Sequence, residues 1–265
     1  MKKSSLNIPH ILLYAVALPV GFLVVLWAVA FVTKQSDCSQ DTASLASAIA
    51  KIVFACACLY FFRETIRSGE KGKLTIGRFL FCFFYLGIPF LANAVMSVLG
   101  SGSLRTGVAS IATGVIIGLA PGFCEEVIFR GVAYNKLNAL LDGRRNACFW
   151  AALLSSGVFA LCHFVNLTSQ PMGATLMQVY YAFAAGLCFC GIYLFSRTLI
   201  IPILLHCIVD VCHFLPVMDK MTTNEGAVNL MGIAFTTILL IEGLVLVLIH
   251  QRNLNKQQEL KANQI

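Results

Sequence analysis

An all-helical, polytopic membrane bundle of about eight transmembrane helices is the fold class this sequence predicts, and three observations predict it. Of its 265 residues 58% are hydrophobic and only 12% are charged, against roughly 25% in an average soluble domain. Apolar runs of about 20 residues, the length that crosses a bilayer, recur along the whole chain. Most Lys and Arg residues sit in alternate connections between those runs, as the positive-inside rule requires.

The elements follow in order. Lys2 and Lys3 precede the run Ile8–Val32, which is longer than the roughly 7–15 residues of a signal-peptide core, so it reads as a retained first span at 9–32. Further spans fall near 45–62, 79–100, 107–129, 148–167, 174–196, 199–216 and 229–250, the seventh being the shortest. The most polar connections, 63–78 and 130–147, are too short for a soluble domain, and no internal repeat stands out, so 1–265 is read as one integral-membrane domain. Lys2, Lys3, Arg63, Arg67, Lys71, Lys73, Arg78, Arg130, Lys136, Arg144, Arg145, Arg197, Arg252, Lys256 and Lys261 all fall on one side. Only Lys34, Arg105 and Lys220 fall on the other, which places both termini in the cytoplasm.

Composition also excludes function classes. The net charge of +7 forms no continuous basic stripe with exposed aromatics, so no nucleic-acid partner is expected, and the charge is read as topology. Nearly all of the 11 cysteines lie inside apolar runs, for example Cys56, Cys58, Cys188 and Cys190, where they behave as small buried hydrophobes. No CxxC pair is present to suggest a cysteine-based zinc site.

What remains is a set of ionisable residues inside the apolar runs. Glu125 and Glu126 are adjacent in Ile111–Phe129, where each charge costs about 2.5–3.5 kcal/mol at the bilayer centre. They project about 100° apart on a helix. Glu126 is one turn from Arg130 and is expected to pair with it, leaving Glu125 free to meet a substrate or a water. Pro121 and Gly122, just before them, are expected to loosen the helix and admit water. Phe159 and His163 are spaced i,i+4, as are His206 and Asp210. His213 extends the last face as a residue that lines a pore or supports the site from behind, and Asn166 either shares the face of His163 or caps its helix. Taken singly, each pair has a bland reading, a surface ion pair or a packing histidine. Together they can converge from three helices with no other charged residue deep in the bundle, where ligand and metal sites are built.

These residues resemble a known pattern. EExxxR at 125–130, FxxxH at 159–163 and Hxxx(N/D) at 206–210, in this order, are similar to the CAAX protease and bacteriocin-processing family, also called Abi, of intramembrane endopeptidases. The resemblance covers a core of about 107–216. It implies a membrane peptidase in which Glu125 and His163 activate water, His206 and Asp210 support the oxyanion, and Glu126, Arg130 and Phe159 are supporting. The chain departs from the commoner pattern by carrying Asp210 where asparagine is frequent. An ionised aspartate cannot donate to an oxyanion, so Asp210 is protonated, orients His206 or binds a metal.

The expected reaction is hydrolysis of a peptide bond in a membrane-associated peptide or protein, with the bilayer and that substrate as partners. No cofactor is required for a glutamate-activated water. HExxH is absent, yet Glu125, His163, His206 and Asp210 are a ligand set open to Zn²⁺. The alternatives are a non-catalytic immunity or scaffold protein and a proton-coupled transporter, although no symmetric halves of broken helices are visible for the latter. The expected location is a bacterial plasma membrane. Substrate identity and oligomeric state are not written in the chain. Counted at about 1.5 Å per residue, the groups meet in the inner half of the membrane only if span four, ending at 129, tilts or shifts inward.

Overall fold

The computed structural model describes residue 9 and residues 13–70, 73–100, 104–215 and 230–263. Lys2, Lys3, Lys71 and Lys220, used above as orientation markers, lie outside the described residues, as do residue 216 of span seven and residue 229 of span eight. Among the described residues there is no strand. The helices are α1 (Leu18–Gln35), led in by a wide turn at Leu13–Ala17, α2 (Gln40–Phe61), α3 (Arg63–Gly69), α4 (Ile76–Tyr85) and α5 (Ile88–Leu99). They continue with α6 (Val108–Leu140), α7 (Ala147–Thr168), α8 (Met172–Ser196), α9 (Ile200–Phe214) and α10 (Leu230–Ala262).

Six of these, α1, α2, α6, α7, α8 and α10, are long and apolar enough to cross a membrane, and α4 with α5 makes a seventh span if counted as one. The pair bends by 51°. Its break at Leu86 and Gly87 is followed by Pro89 in the first turn of α5, a position where the missing N–H does no harm. The apolar α9 has only 15 residues. These segments answer one by one to the eight apolar runs of the sequence, and the multi-pass helical bundle is as expected. Large apolar residues such as Trp27, Val32, Val53 and Ile241 point outward, as a lipid-facing surface allows and water would not.

Span four is the exception in length. Its helix does not end at Phe129 but runs on to Leu140, widening into a π-helical stretch over Val127–Tyr134. Every residue of that stretch is buried, so Arg130, taken above as a basic loop residue, belongs to the bundle interior. The apolar count stopped there because it scored a charge and not its partner. With the extension Glu125 lies well inside the helix. Wide turns of this kind recur at functional sites. Here Asn135 donates to the Gly131 carbonyl at 2.9 Å and to Tyr193 at 2.9 Å, tying the widened turn to α8.

The centre of the bundle is α8, buried on every side from Ala184 to Tyr193 as a helix surrounded by others must be. It contributes to two apolar clusters, one with α2, α6 and α7, the other with α4, α5, α9 and α10. Two polar ties hold α9 beside it. Glu70 accepts from the Leu199 N–H at 2.8 Å, capping the start of α9 from a distance. At the other end Arg105 meets both Asp41 oxygens at 3.2 Å and donates through Nε to the Phe214 carbonyl at 3.1 Å.

The contact that sets the site is between α6 and α9. Gly114, Gly118 and Gly122 form a stripe at i,i+4 spacing, and a Cβ on Gly122 would stand 2.6 Å from the Cys207 nitrogen, one on Gly118 2.5 Å from the Val211 Cα. Such close backbone approach is what small residues provide where helices associate in lipid. The expected loosening at Pro121 and Gly122 is therefore corrected, since α6 continues unbroken through Pro121 and Gly122 is a packing contact. Gly122→Val is expected to push α9 away and to cost about 1–3 kcal/mol through overpacking. A melting midpoint in detergent equal to wild type would show that the crossing tolerates a side chain.

Candidate active site

The polar groups converge on the carboxylate of Glu126, which is wholly buried. Its Oε1 accepts from Arg130 Nη1 at 2.8 Å, within one turn of α6, and from His206 Nδ1 of α9 at 2.9 Å. Its Oε2 is buried with no partner among the described residues. Arg130 spends its other terminal nitrogen on the Gly186 carbonyl of α8 at 3.0 Å, and its guanidinium lies 4.8 Å from the Phe159 ring centre and 5.5 Å from that of Phe189. Aromatic faces and a carboxylate together provide the partners that a guanidinium shielded from water requires.

His206 is held on both sides and on its face. A carboxylate only accepts, so Nδ1 carries the proton shared with Glu126. The other nitrogen, Nε2, stands 3.8 Å from Glu125 Oε2 and 3.6 Å from Asp210 Oδ2. Phe189 stacks on the ring at 4.8 Å between centres. His163 follows the same logic at the end of α7, where the helix tightens into a 3₁₀ turn. Its Nδ1 lies 3.0 Å from the Phe159 carbonyl, which can only accept, so the lone pair is on Nε2. The Phe159 ring, edge-on to His163 at 5.0 Å, is thus shared between His163 and Arg130.

One cavity of 470 Å³ is lined by Glu125, His163, His206, Asp210 and His213. Its walls are otherwise mainly apolar, with Phe22 and Leu26 of α1 and Phe159 and Phe189 among them. Mostly apolar walls with a few converging polar groups are the common form of a small-molecule or peptide site.

Set against the sequence, the pairing of Glu126 with Arg130 is as spacing predicted, and Glu125 opens to the cavity. His206 stands between the two glutamates, bonded to Glu126 through Nδ1 at 2.9 Å and with Nε2 at 3.8 Å from Glu125. Asn166 lines the cavity and donates to Gln178 at 2.8 Å rather than capping its helix. The expectation of no further charge deep in the bundle is also corrected. Lys51, midway along α2, lines the same cavity, and Glu242 of α10 lies against the Cys188 thiol of α8. A lone charge in the middle of an apolar span was the signal for both.

Among the described residues no group of three or more His, Cys, Asp and Glu side chains has an arrangement that holds a metal ion. His206 commits Nδ1 to Glu126 and His163 commits Nδ1 to the Phe159 carbonyl, which leaves Nε2 as the free ring nitrogen of each. With Glu125 and Asp210 they surround a space in which a water molecule and a peptide carbonyl can meet them.

No curated protein matches the chain. A family model described as Type II CAAX prenyl endopeptidase Rce1-like does match, over residues 107–212. That stretch holds Glu125, Glu126, Arg130, Phe159, His163, His206 and Asp210, and over it this multi-pass helical chain is similar to that endopeptidase family.

Proposed function

We propose that the chain is an intramembrane endopeptidase that hydrolyses a peptide bond of a membrane-associated peptide or protein with a water activated by Glu125 and His163. The observation that carries this reading is the single cavity onto which Glu125, His163, His206 and Asp210 all open. Amide hydrolysis needs a base for water, a donor for the developing oxyanion and an acid for the leaving nitrogen. Each has a candidate here.

Water sits between the Glu125 carboxylate and the Nε2 lone pair of His163. As its oxygen attacks the carbonyl carbon, its proton passes to Glu125. The carbonyl oxygen, now negative, takes a hydrogen bond from His206 Nε2, whose imidazolium is held by Glu126 on one side and by Asp210 on the other. Asp210 therefore orients and charges His206 and has no need to donate itself. When the C–N bond breaks, Glu125 returns its proton to the leaving amine. Arg130 acts at one remove by fixing Glu126. No step passes through a metal. The basic residues Arg63, Arg67, Lys73, Arg144, Arg145 and Arg197, which fall in alternate connections between the apolar runs, support a plasma-membrane protein of bacterial type with both termini cytoplasmic.

With a membrane-anchored peptide in reconstituted vesicles, Glu125→Gln and His163→Ala are each expected to lower the cleavage rate by about 10²–10⁴-fold. Both variants are expected to remain folded in detergent, because neither residue anchors the buried Glu126–Arg130 pair. Retention of most activity in either variant refutes the scheme. A second measurement addresses the metal. Exhaustive chelation is expected to leave the rate unchanged, and a loss restored by Zn²⁺ would move the activation of water from Glu125 to a bound ion.

A further inference from the structure

The charges around the cavity do not balance until Lys51 is counted. Arg130 is committed, with Glu126 at 2.8 Å and the Gly186 carbonyl at 3.0 Å on its two terminal nitrogens. Two further carboxylates, Glu125 and Asp210, then face one imidazole nitrogen, at 3.8 and 3.6 Å. Even with His206 charged, Arg130 and His206 supply two positive charges against the three negative charges of Glu125, Glu126 and Asp210. In a site shielded from water such an imbalance is costly, because the effective dielectric is low.

Lys51 enters from the opposite wall. On α2 the buried residues Ala48, Ala55 and Cys58 mark the face that packs on the rest of the bundle. Lys51, three residues after Ala48 and four before Ala55, shares that face and lines the cavity beside Glu125 and Asp210. It lies eleven residues from Gln40 and ten from Phe61, about 15 Å from either end of the helix, farther than a lysine side chain can snorkel. Among the described residues its ammonium makes no direct ion pair. It shares the cavity with Glu125 and Asp210.

We propose that Lys51 is a positioning residue of this site, the counter-ion that offsets Glu125 and Asp210 across the cavity and holds them in place around His206. Its effect on rate rests on the peptidase reading above, whereas its effect on stability does not. The remaining charged and titratable groups that line the cavity with Lys51 are Cys162 and His163 of α7, Tyr181 of α8 and His206 and His213 of α9. None of them is a permanent cation, so Lys51 has no substitute.

The test is a double-mutant cycle on the full-length protein, with melting midpoint and cleavage kinetics as readouts. Lys51→Gln is expected to lower the midpoint by about 3–6 °C, and Asp210→Asn added to it to restore a large part of that loss, since the second change removes the charge left uncompensated. Lys51→Arg, which keeps the charge, stays close to wild type in both readouts. In vesicles Lys51→Gln is expected to lower kcat about tenfold or more with KM little changed. If Lys51→Gln does not accumulate as folded protein, recovery of folded protein in the double variant supports the proposal and failure of both overturns it. Additive midpoints, or no effect of Lys51→Gln on the midpoint, overturn the counter-ion role whether or not cleavage is observed. A loss confined to KM overturns it differently, by making Lys51 a group that binds a carboxylate of the substrate.

Discussion

A single oxygen, Oε1 of Glu126, receives both Arg130 and His206, and the candidate site depends on that junction. A carboxylate shielded from water to this degree is costly unless hydrogen-bonded charges offset it, and here both partners come from within 3 Å. The consequence is mechanical as well as electrostatic. Arg130 links α6 to α8 through the Gly186 carbonyl, and His206 links α6 to α9. A donor aimed into the cavity, His206 Nε2, is thereby held from behind by groups that do not themselves open onto it.

The backbone is shaped to permit this junction. Glycines 114, 118 and 122 bring α6 against α9 closely enough for Glu126 to reach His206, and the wide turn that begins at Val127 accommodates Arg130 between the two aromatic rings of α7 and α8. Glu70 and Arg105 fasten the two ends of α9, the helix that carries His206 and Asp210. The short α9 is thus held by polar ties at its ends, and its middle presents the chemistry. On the reading advanced here the cavity works as a pair of opposed surfaces, with Glu125 and His163 on the water and His206 on the oxyanion, and with Lys51 balancing the carboxylates between them.

Much of this was legible in the chain because bilayers impose simple rules. Apolar length marked the spans, alternation of Lys and Arg marked their sides, and i,i+4 spacing identified Glu126 with Arg130 and His206 with Asp210 as neighbours on one face. Those are properties of one helix at a time. Three readings failed where a second helix entered. Arg130 looked like the start of a loop because its partners on α7 and α8 are distant in sequence. Gly122 beside Pro121 looked like a weak point because the backbone of α9 pressed against it is invisible in the chain. Lys51 was passed over because one lysine in an apolar run gains its meaning only from what faces it.

By itself, then, the sequence determined the helical class, the count of apolar segments and which polar residues share a helical face, since periodicity and hydropathy are local and the membrane punishes their violation. Only the tertiary structure decided that His206 stands between both glutamates, that Asn166 reaches Gln178 and that Lys51 shares the cavity. Those relations are set by how close two helices can approach and at what rotation, and that is fixed by packing along their whole length and by no residue pattern in either helix alone.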